Sequence, residues 1–238
     1  MSSKDKPGVW ITGASSGIGR ATAMEFVSAG SKVFVSARRE TELNKINNDL
    51  SGSKLKVEVY PCNISSYANV EKTANTILES HSIDCLINNA GITSFKSADN
   101  NSIQEINDII NTNLLGAIYS IKAVLPHMVE RGGGTIINVL SVVTRKVFTN
   151  SSAYSASKMG LLGYTNSLRE EVRKYKIKVI NILPGATSTD MWSKEVKEKN
   201  PGRMMKSEEI AKIILWAYMQ KENLVTEEIL LRPMDGDL

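Results

Sequence analysis

The chain is poor in the residues that would betray a metal centre, a disulfide scaffold or a membrane span. Its two cysteines, Cys62 and Cys85, are too few for a disulfide framework, and together with only two histidines, His81 and His127, they show no zinc-ligand spacing. No metal is expected. Apolar runs stay well short of the ~18 residues that cross a bilayer. The opening Met1-Ser2-Ser3-Lys4-Asp5-Lys6-Pro7 has no apolar leader core, so neither a membrane partner nor secretion is expected. Charge of one sign is also scarce: 29 basic against 25 acidic residues leave a net charge of +4, spread without a basic arm. A nucleic-acid partner is therefore not expected, and a reducing cytoplasm is the simplest setting. Six prolines and 42% hydrophobic residues exclude a disordered or collagen-like chain. At 238 residues the chain fits one core, so a single domain over 1–238 is expected.

What is present is an alternation of short apolar runs with longer helical patterns. Strand-like runs fall at Val9–Ile11, Lys32–Val35, Leu55–Tyr60, Asp84–Ile87, Gly134–Val139, Lys178–Leu183 and Ile229–Leu231. Helical patterns lie between them, near 17–29, 40–50, 67–80, 102–130, 152–174 and 207–220. A strand-helix-strand order implies parallel pairing, because a parallel return needs a crossover that a helix supplies. The expected class is α/β: a doubly wound parallel sheet with helices on both faces. The most loop-like section, about 184–206, follows a strand directly and carries Met191, Trp192, Met204 and Met205. It reads as a cover over a substrate, since ligands sit beyond the carboxyl ends of such strands.

Thr12-Gly13-Ala14-Ser15-Ser16-Gly17-Ile18-Gly19 follows the first strand and opens a helix. Small residues let the backbone approach a pyrophosphate, whose charge is favoured by free N–H groups at the helix start. The second strand ends in Ser36-Ala37-Arg38-Arg39, where a nucleotide fold that binds an unphosphorylated ribose carries an acid. Two arginines there oppose the helix dipole unless an anion is present, and a guanidinium fork suits a 2′-phosphate. The expected cofactor is NADP, with Arg38 the main contact and Arg39 or Ser15 helping.

Tyr154 and Lys158 stand four apart at the start of a helical pattern and share one face. A nearby ammonium is expected to lower the phenol pKa and make the pair a proton shuttle. Ser141 follows the fifth strand, at the end of the sheet where the nucleotide lies, and its hydroxyl can hold a carbonyl oxygen. Asn113 sits amid Leu114, Leu115, Ala117 and Ile118, and has a role only if the helix breaks there and turns its backbone toward Lys158.

In their order along the chain, Thr12–Gly19, Asn88-Asn89-Ala90-Gly91, Asn113, Ser141, Tyr154 with Lys158, and Pro184-Gly185 resemble the standard-length branch of the short-chain dehydrogenase/reductase family. The resemblance runs from about residue 8 to 232 and implies a Rossmann fold, a nicotinamide cofactor and hydride transfer to a carbonyl or from a secondary alcohol. It implies that Tyr154 is the acid/base, that Lys158 tunes it and holds a ribose, that Ser141 orients the carbonyl, and that Asn113 completes a water-linked relay. It further implies cofactor contacts from Gly13, Ser15, Ser16, Gly17, Ile18, Gly19, Asn63, Ile64, Asn89, Ala90, Gly91, Pro184, Gly185, Thr187 and Thr189, and assembly as a homodimer or homotetramer. Leu161, Leu162 and Tyr164 are read as apolar surface for that assembly.

Three departures stand out. Asn63 replaces a frequent Asp, Thr187 replaces a frequent Val or Ile, and the end Leu230–Leu238 lacks the Gly-rich form of the tetrameric acyl-carrier-protein ketoreductases. The expected substrate is a small-molecule carbonyl or alcohol, with Val142, Val143, Phe148 and section 187–206 as walls. A 3-oxoacyl-acyl-carrier-protein reductase activity, a non-catalytic nucleotide sensor or scaffold, and a methyltransferase are the competing readings.

Overall fold

The computed structural model describes residues 6–52, 54–220 and 223–238; the leader-free reading of Met1–Asp5 lies outside them. Among the described residues the elements are β1 (Gly8–Thr12), α1 (Gly17–Ser28), β2 (Lys32–Ser36), α2 (Glu40–Asp49), β3 (Val57–Val59), α3 (Tyr67–Leu78), β4 (Cys85–Asn88) and α4 (Ile103–Ile110). They continue with α5 (Gly116–Arg131), β5 (Gly134–Val139), α6 (Ser152–Val172), β6 (Ile177–Pro184), α7 (Lys194–Lys199), α8 (Ser207–Met219) and β7 (Glu228–Leu231). The strands form one sheet in the order β3-β2-β1-β4-β5-β6-β7. Every neighbouring pair is parallel. The order reverses between β1 and β4, which opens a crevice at their carboxyl ends.

Alternation along β1 shows how the sheet is covered. Val9 and Ile11 face one layer with Phe26 of α1, Leu43 of α2 and Ile210 and Ile214 of α8. Trp10 faces the other, with Ile77 of α3, Ile121 and Val124 of α5, and Leu168 of α6. A strand buried on both faces reads as a continuous apolar run, which is why GVWIT stood out. Full burial of side chains such as Phe26 and Phe34 contributes ~1.5–3 kcal/mol each.

Four expectations need correction. The pattern at 102–130 is two helices, α4 and α5, separated by a π-helical segment, Asn111–Leu115. The strand expected at 55–60 shrinks to Val57–Val59, an edge strand paired only with β2. The section 184–206 is not structureless. Met205 exchanges backbone hydrogen bonds with Ala186 (3.0 Å) and Ser188 (2.8 Å), and Ser193 caps α7 by accepting from Val196 N. Leu161 and Leu162, expected on the surface, are buried against Ala117, Leu140 and Leu183 inside the chain's own core.

Candidate active site

The glycine-rich turn is built around backbone approach. Gly13 has φ +66°, and a Cβ there would lie 2.5 Å from Ala90 Cα. Gly17 has φ +54°, where side chains are strained, and its added Cβ would meet Thr189 Cγ2 at 3.0 Å. Gly19 stands behind the turn against Asn89 and lies outside the cleft lining, contrary to a direct contact role. Asn89 braces the turn: its Nδ2 donates to the carbonyls of Thr12 (3.1 Å) and Gly13 (2.9 Å). Thr12 Oγ1 accepts from the amides of Asn89 (3.2 Å) and Ala90 (3.3 Å). The start of α1 carries no side-chain cap from Ser16, which leaves its first amides free for an anion.

At the end of β2, Arg38 and Arg39 are exposed and line the same cleft, and neither guanidinium makes an ion pair among the described residues. Both precede α2, whose first turn holds Glu40 and Glu42. Across from them Asn63 Oδ1 accepts from Ser65 N at 3.2 Å, while Ile64 is buried beside Gly116.

At the other end of the cleft Ser141, Tyr154 and Lys158 come together. Ser141 stands two residues beyond β5 in extended backbone, and its Oγ accepts from Val143 N at 3.3 Å. Burial pushes the Tyr154 phenol up to about 12, and a hydrogen bond with Ser141 pulls it down without offsetting that. Burial draws the Lys158 ammonium down to about 8. The expected lowering of the phenol by the ammonium is therefore absent in this state. Lys158 Nζ lies 5.8 Å from the Tyr154 ring centroid and donates to Val139 O at 2.7 Å, so desolvation wins over the charge.

The π-helical segment sets Asn113 beside this group. Its Nδ2 donates to Ile92 O (2.9 Å) and Ser157 Oγ (3.0 Å), and its Oδ1 accepts from Ile92 N (2.8 Å). The side chain is thus committed to holding the strand-end segment, and Asn113 does not line the cleft. A Cβ on Gly91 would sit 3.5 Å from Asn113 Oδ1 and 3.6 Å from Lys158 Nζ, which places that glycine between the two.

One cleft of about 940 Å³ contains every other residue expected at the site, including Pro184, Gly185, Thr187 and Thr189. Thr187 Oγ1 donates to Gly185 O at 3.0 Å, and Thr189 Oγ1 accepts from Met191 N at 3.3 Å. Val142, Val143, Phe148, Met191 and Trp192 are wall residues as expected, whereas residues 193–206 are not. Sequence reasoning missed Thr93, Phe95, Asp237 and Leu238, which also line it. Asp237 is held locally by Arg232 (2.6 Å) and from far along the chain by Lys146 (2.9 Å), and the second pair ties the tail to the wall. A lone phenylalanine in the polar run Thr93–Asn101 was the one available signal.

The family model described as short chain dehydrogenase matches residues 8–200. A sepiapterin reductase from Chlorobaculum tepidum is 34% identical over 236 residues, covering 96% of each chain. A 3-oxoacyl-acyl-carrier-protein reductase from Thermotoga maritima is 30% identical over 237 residues, again covering 96% of each. The crystal structure of a metagenomic short-chain oxidoreductase in complex with NADP superposes with a TM-score of 0.85 at 27% identity, covering 98% of this chain and 99% of that one.

Proposed function

Because the chain belongs to the short-chain dehydrogenase family, and so is an oxidoreductase, we propose that it uses NADP(H) to interconvert a carbonyl compound and its secondary alcohol, with Tyr154 as general acid/base. The observation that carries the reading is that Ser141, Tyr154 and Lys158 line the same cleft as the bare glycine-rich turn.

The residues present fit a phosphorylated dinucleotide. Gly13 and Gly17 leave a backbone cradle that a Cβ would fill, and the end of β2 offers two guanidinium groups without an ion pair among the described residues. Gly13, Ser15, Ser16, Gly17 and Ile18 would hold the pyrophosphate, with Gly19 supporting from behind. Arg38 would take the 2′-phosphate, helped by Arg39 or Ser15. Asn63 and Ile64 would flank the adenine, and Asn89, Ala90 and Gly91 its ribose side. Pro184, Gly185, Thr187 and Thr189 would border the nicotinamide, and Lys158 its ribose. Bound there, NADPH supplies the hydride.

The chain's own residues do the rest. Ser141 Oγ donates to the carbonyl oxygen and fixes its position. Tyr154, with its phenol near 12, is fully protonated at neutral pH, which is the form a proton donor needs for carbonyl reduction. Lys158, near 8, is mostly charged at neutral pH, and its charge favours the phenolate once Tyr154 has given up its proton. Asn113 fixes Ile92 and, through its backbone, the route by which a proton returns. The section over 187–192 closes the cleft.

The test is NADPH oxidation by the purified protein across a panel of ketones. Tyr154→Phe is expected to lower turnover by about 10²–10⁴-fold while NADPH binding, read by fluorescence titration, survives. Ketone reduction that persists unchanged in Tyr154→Phe overturns the reading.

A further inference from the structure

Two aromatic rings close the substrate end of the cleft. Phe95, from the segment after β4, and Trp192, from the section after β6, stack with centroids 4.8 Å apart and planes inclined by 20°. Both line the cleft. Phe95 is 45% exposed, yet its backbone is braced on both sides. The Ser94 hydroxyl donates to Asn101 Oδ1, and Asn101 Nδ2 donates to Lys96 O at 3.2 Å. Lys96 Nζ in turn reaches Glu105, whose carboxylate caps α4 by accepting from Ser102 N at 2.9 Å. Phe95 is thus a ring presented on a fixed support. Trp192 is the other jaw, tied to its own loop by one backbone bond to Thr189 O at 3.3 Å.

The chemistry around the pair narrows what it can take. Among the described residues the cations lining the cleft are Arg38 and Arg39 at the nucleotide end and Lys158 at the reacting centre, so no lining cation among them meets a phosphate or carboxylate beside the rings. Asp237 is already engaged by Arg232 and Lys146. Two residues before Phe95, the Thr93 hydroxyl is buried without a hydrogen-bond partner among the described residues. A buried hydroxyl left unmatched is costly, so a polar group arriving with a ligand would be favoured there.

We propose that Phe95 and Trp192 are the specificity-determining pair of this site, gripping the flat aromatic part of an uncharged ketone while Thr93 meets a polar substituent on it. The proposal rests on the reductase reading above and names its substrate class. A flat ring held between two others needs centroids about 7 Å apart, two contact spacings of about 3.5 Å. Trp192 therefore yields by about 2 Å as the ring enters. Exchanging one stacked partner for another keeps the attraction of the aromatic contact, whereas an aliphatic chain gives that up.

The test compares 1-phenyl-1,2-propanedione with 2,3-hexanedione. Tryptophan emission is read in the presence of NADP⁺, since Trp10 is sealed in the core and Trp216 lies on α8 away from the cleft. The aromatic diketone is expected to quench saturably, with the quench lost in Trp192→Leu and its affinity weakened in Phe95→Leu. In Trp192→Leu the ratio of kcat/KM for the aromatic over the aliphatic diketone is expected to fall about ten-fold. Turnover of both diketones with an unchanged ratio overturns the aromatic pair and leaves the reductase reading standing. A Trp192-dependent quench without NADPH oxidation of either diketone does the reverse: the pair stands as a binding site and the reductase reading falls.

Discussion

Burial moves the two side chains proposed for proton transfer in opposite directions, and both movements favour the neutral form. Tyr154 rises to about 12 and Lys158 falls to about 8. In the proposed carbonyl reduction the tyrosine would keep its proton across the whole working range, so the group that would limit activity on the alkaline side is Lys158. We predict that kcat/KM for ketone reduction falls as pH rises through about 8. Lys158→Met is expected to lower the rate by about 10² or more and to remove that limb. A profile flat to pH ~10 in the unsubstituted enzyme would show that the ammonium has no part in the step. At the other end of the cleft, Arg38→Asp replaces a cation that has no ion pair among the described residues with an anion. The ratio of kcat/KM for NADPH over NADH should drop at least about ten-fold, because charge-assisted hydrogen bonds to phosphate contribute roughly 1.5–3 kcal/mol. Steady-state kinetics with both cofactors measures it, and an unchanged ratio removes Arg38 as the phosphate contact.

Among the elements, the end of β4 locks the nucleotide turn in place. Asn89 Nδ2 satisfies two carbonyls of that turn, so Asn89→Ala orphans both. The expected cost is about 1–3 kcal/mol of stability in urea unfolding, with weaker NADPH binding in the same variant. Stability lost with NADPH affinity intact would separate the brace from the binding surface. Legibility in the sequence divides along the same physical lines. Strands buried on both faces, such as β1, β4 and β6, announce themselves as apolar runs, and the Gly-rich turn by its small residues at one strand end. The π-helical break does not, because one extra residue in a turn leaves the apolar spacing of 102–130 nearly unchanged. Helix α7 is too short and too charged, KEVKEK, to carry a periodic signal. Phe95, Thr93 and Asp237 reach the cleft through loop and tail packing that local sequence does not encode. The Tyr154 phenol moved opposite to expectation because spacing shows that a charge is near, whereas burial depends on the whole fold.

For the molecule as a whole, the buried Lys158 ammonium opposes stability at neutral pH. Lys158 has a folded value near 8 against an ordinary 10.5, so between these pH values the unfolded chain binds more protons. Its contribution to stability rises with pH across that window. Below it the fold carries the full cost of a buried ammonium, on the order of 3 kcal/mol. Tyr154 has the opposite sense: its folded value near 12 exceeds an ordinary 10, so its contribution is present below pH 10 and lost as pH climbs to 12. The buried thiols of Cys62 and Cys85, both pushed up by burial, lose their contribution above the usual thiol range and blur the total curve. The difference between the native chain and Lys158→Met isolates the lysine. We predict that Lys158→Met is more stable than the native chain at pH 7 by about 2 kcal/mol, the ammonium cost less roughly 1 kcal/mol for the lost hydrogen bond to Val139 O. The gap should shrink toward pH ~10 and reverse as the native lysine becomes neutral and keeps that bond. Urea unfolding of both proteins across this range, without nucleotide, measures the difference directly. A variant less stable than the native chain at pH 7 would mean that the ammonium is solvated or paired in the folded protein, and the assignment of Lys158 as the alkaline limit on activity would fall with it.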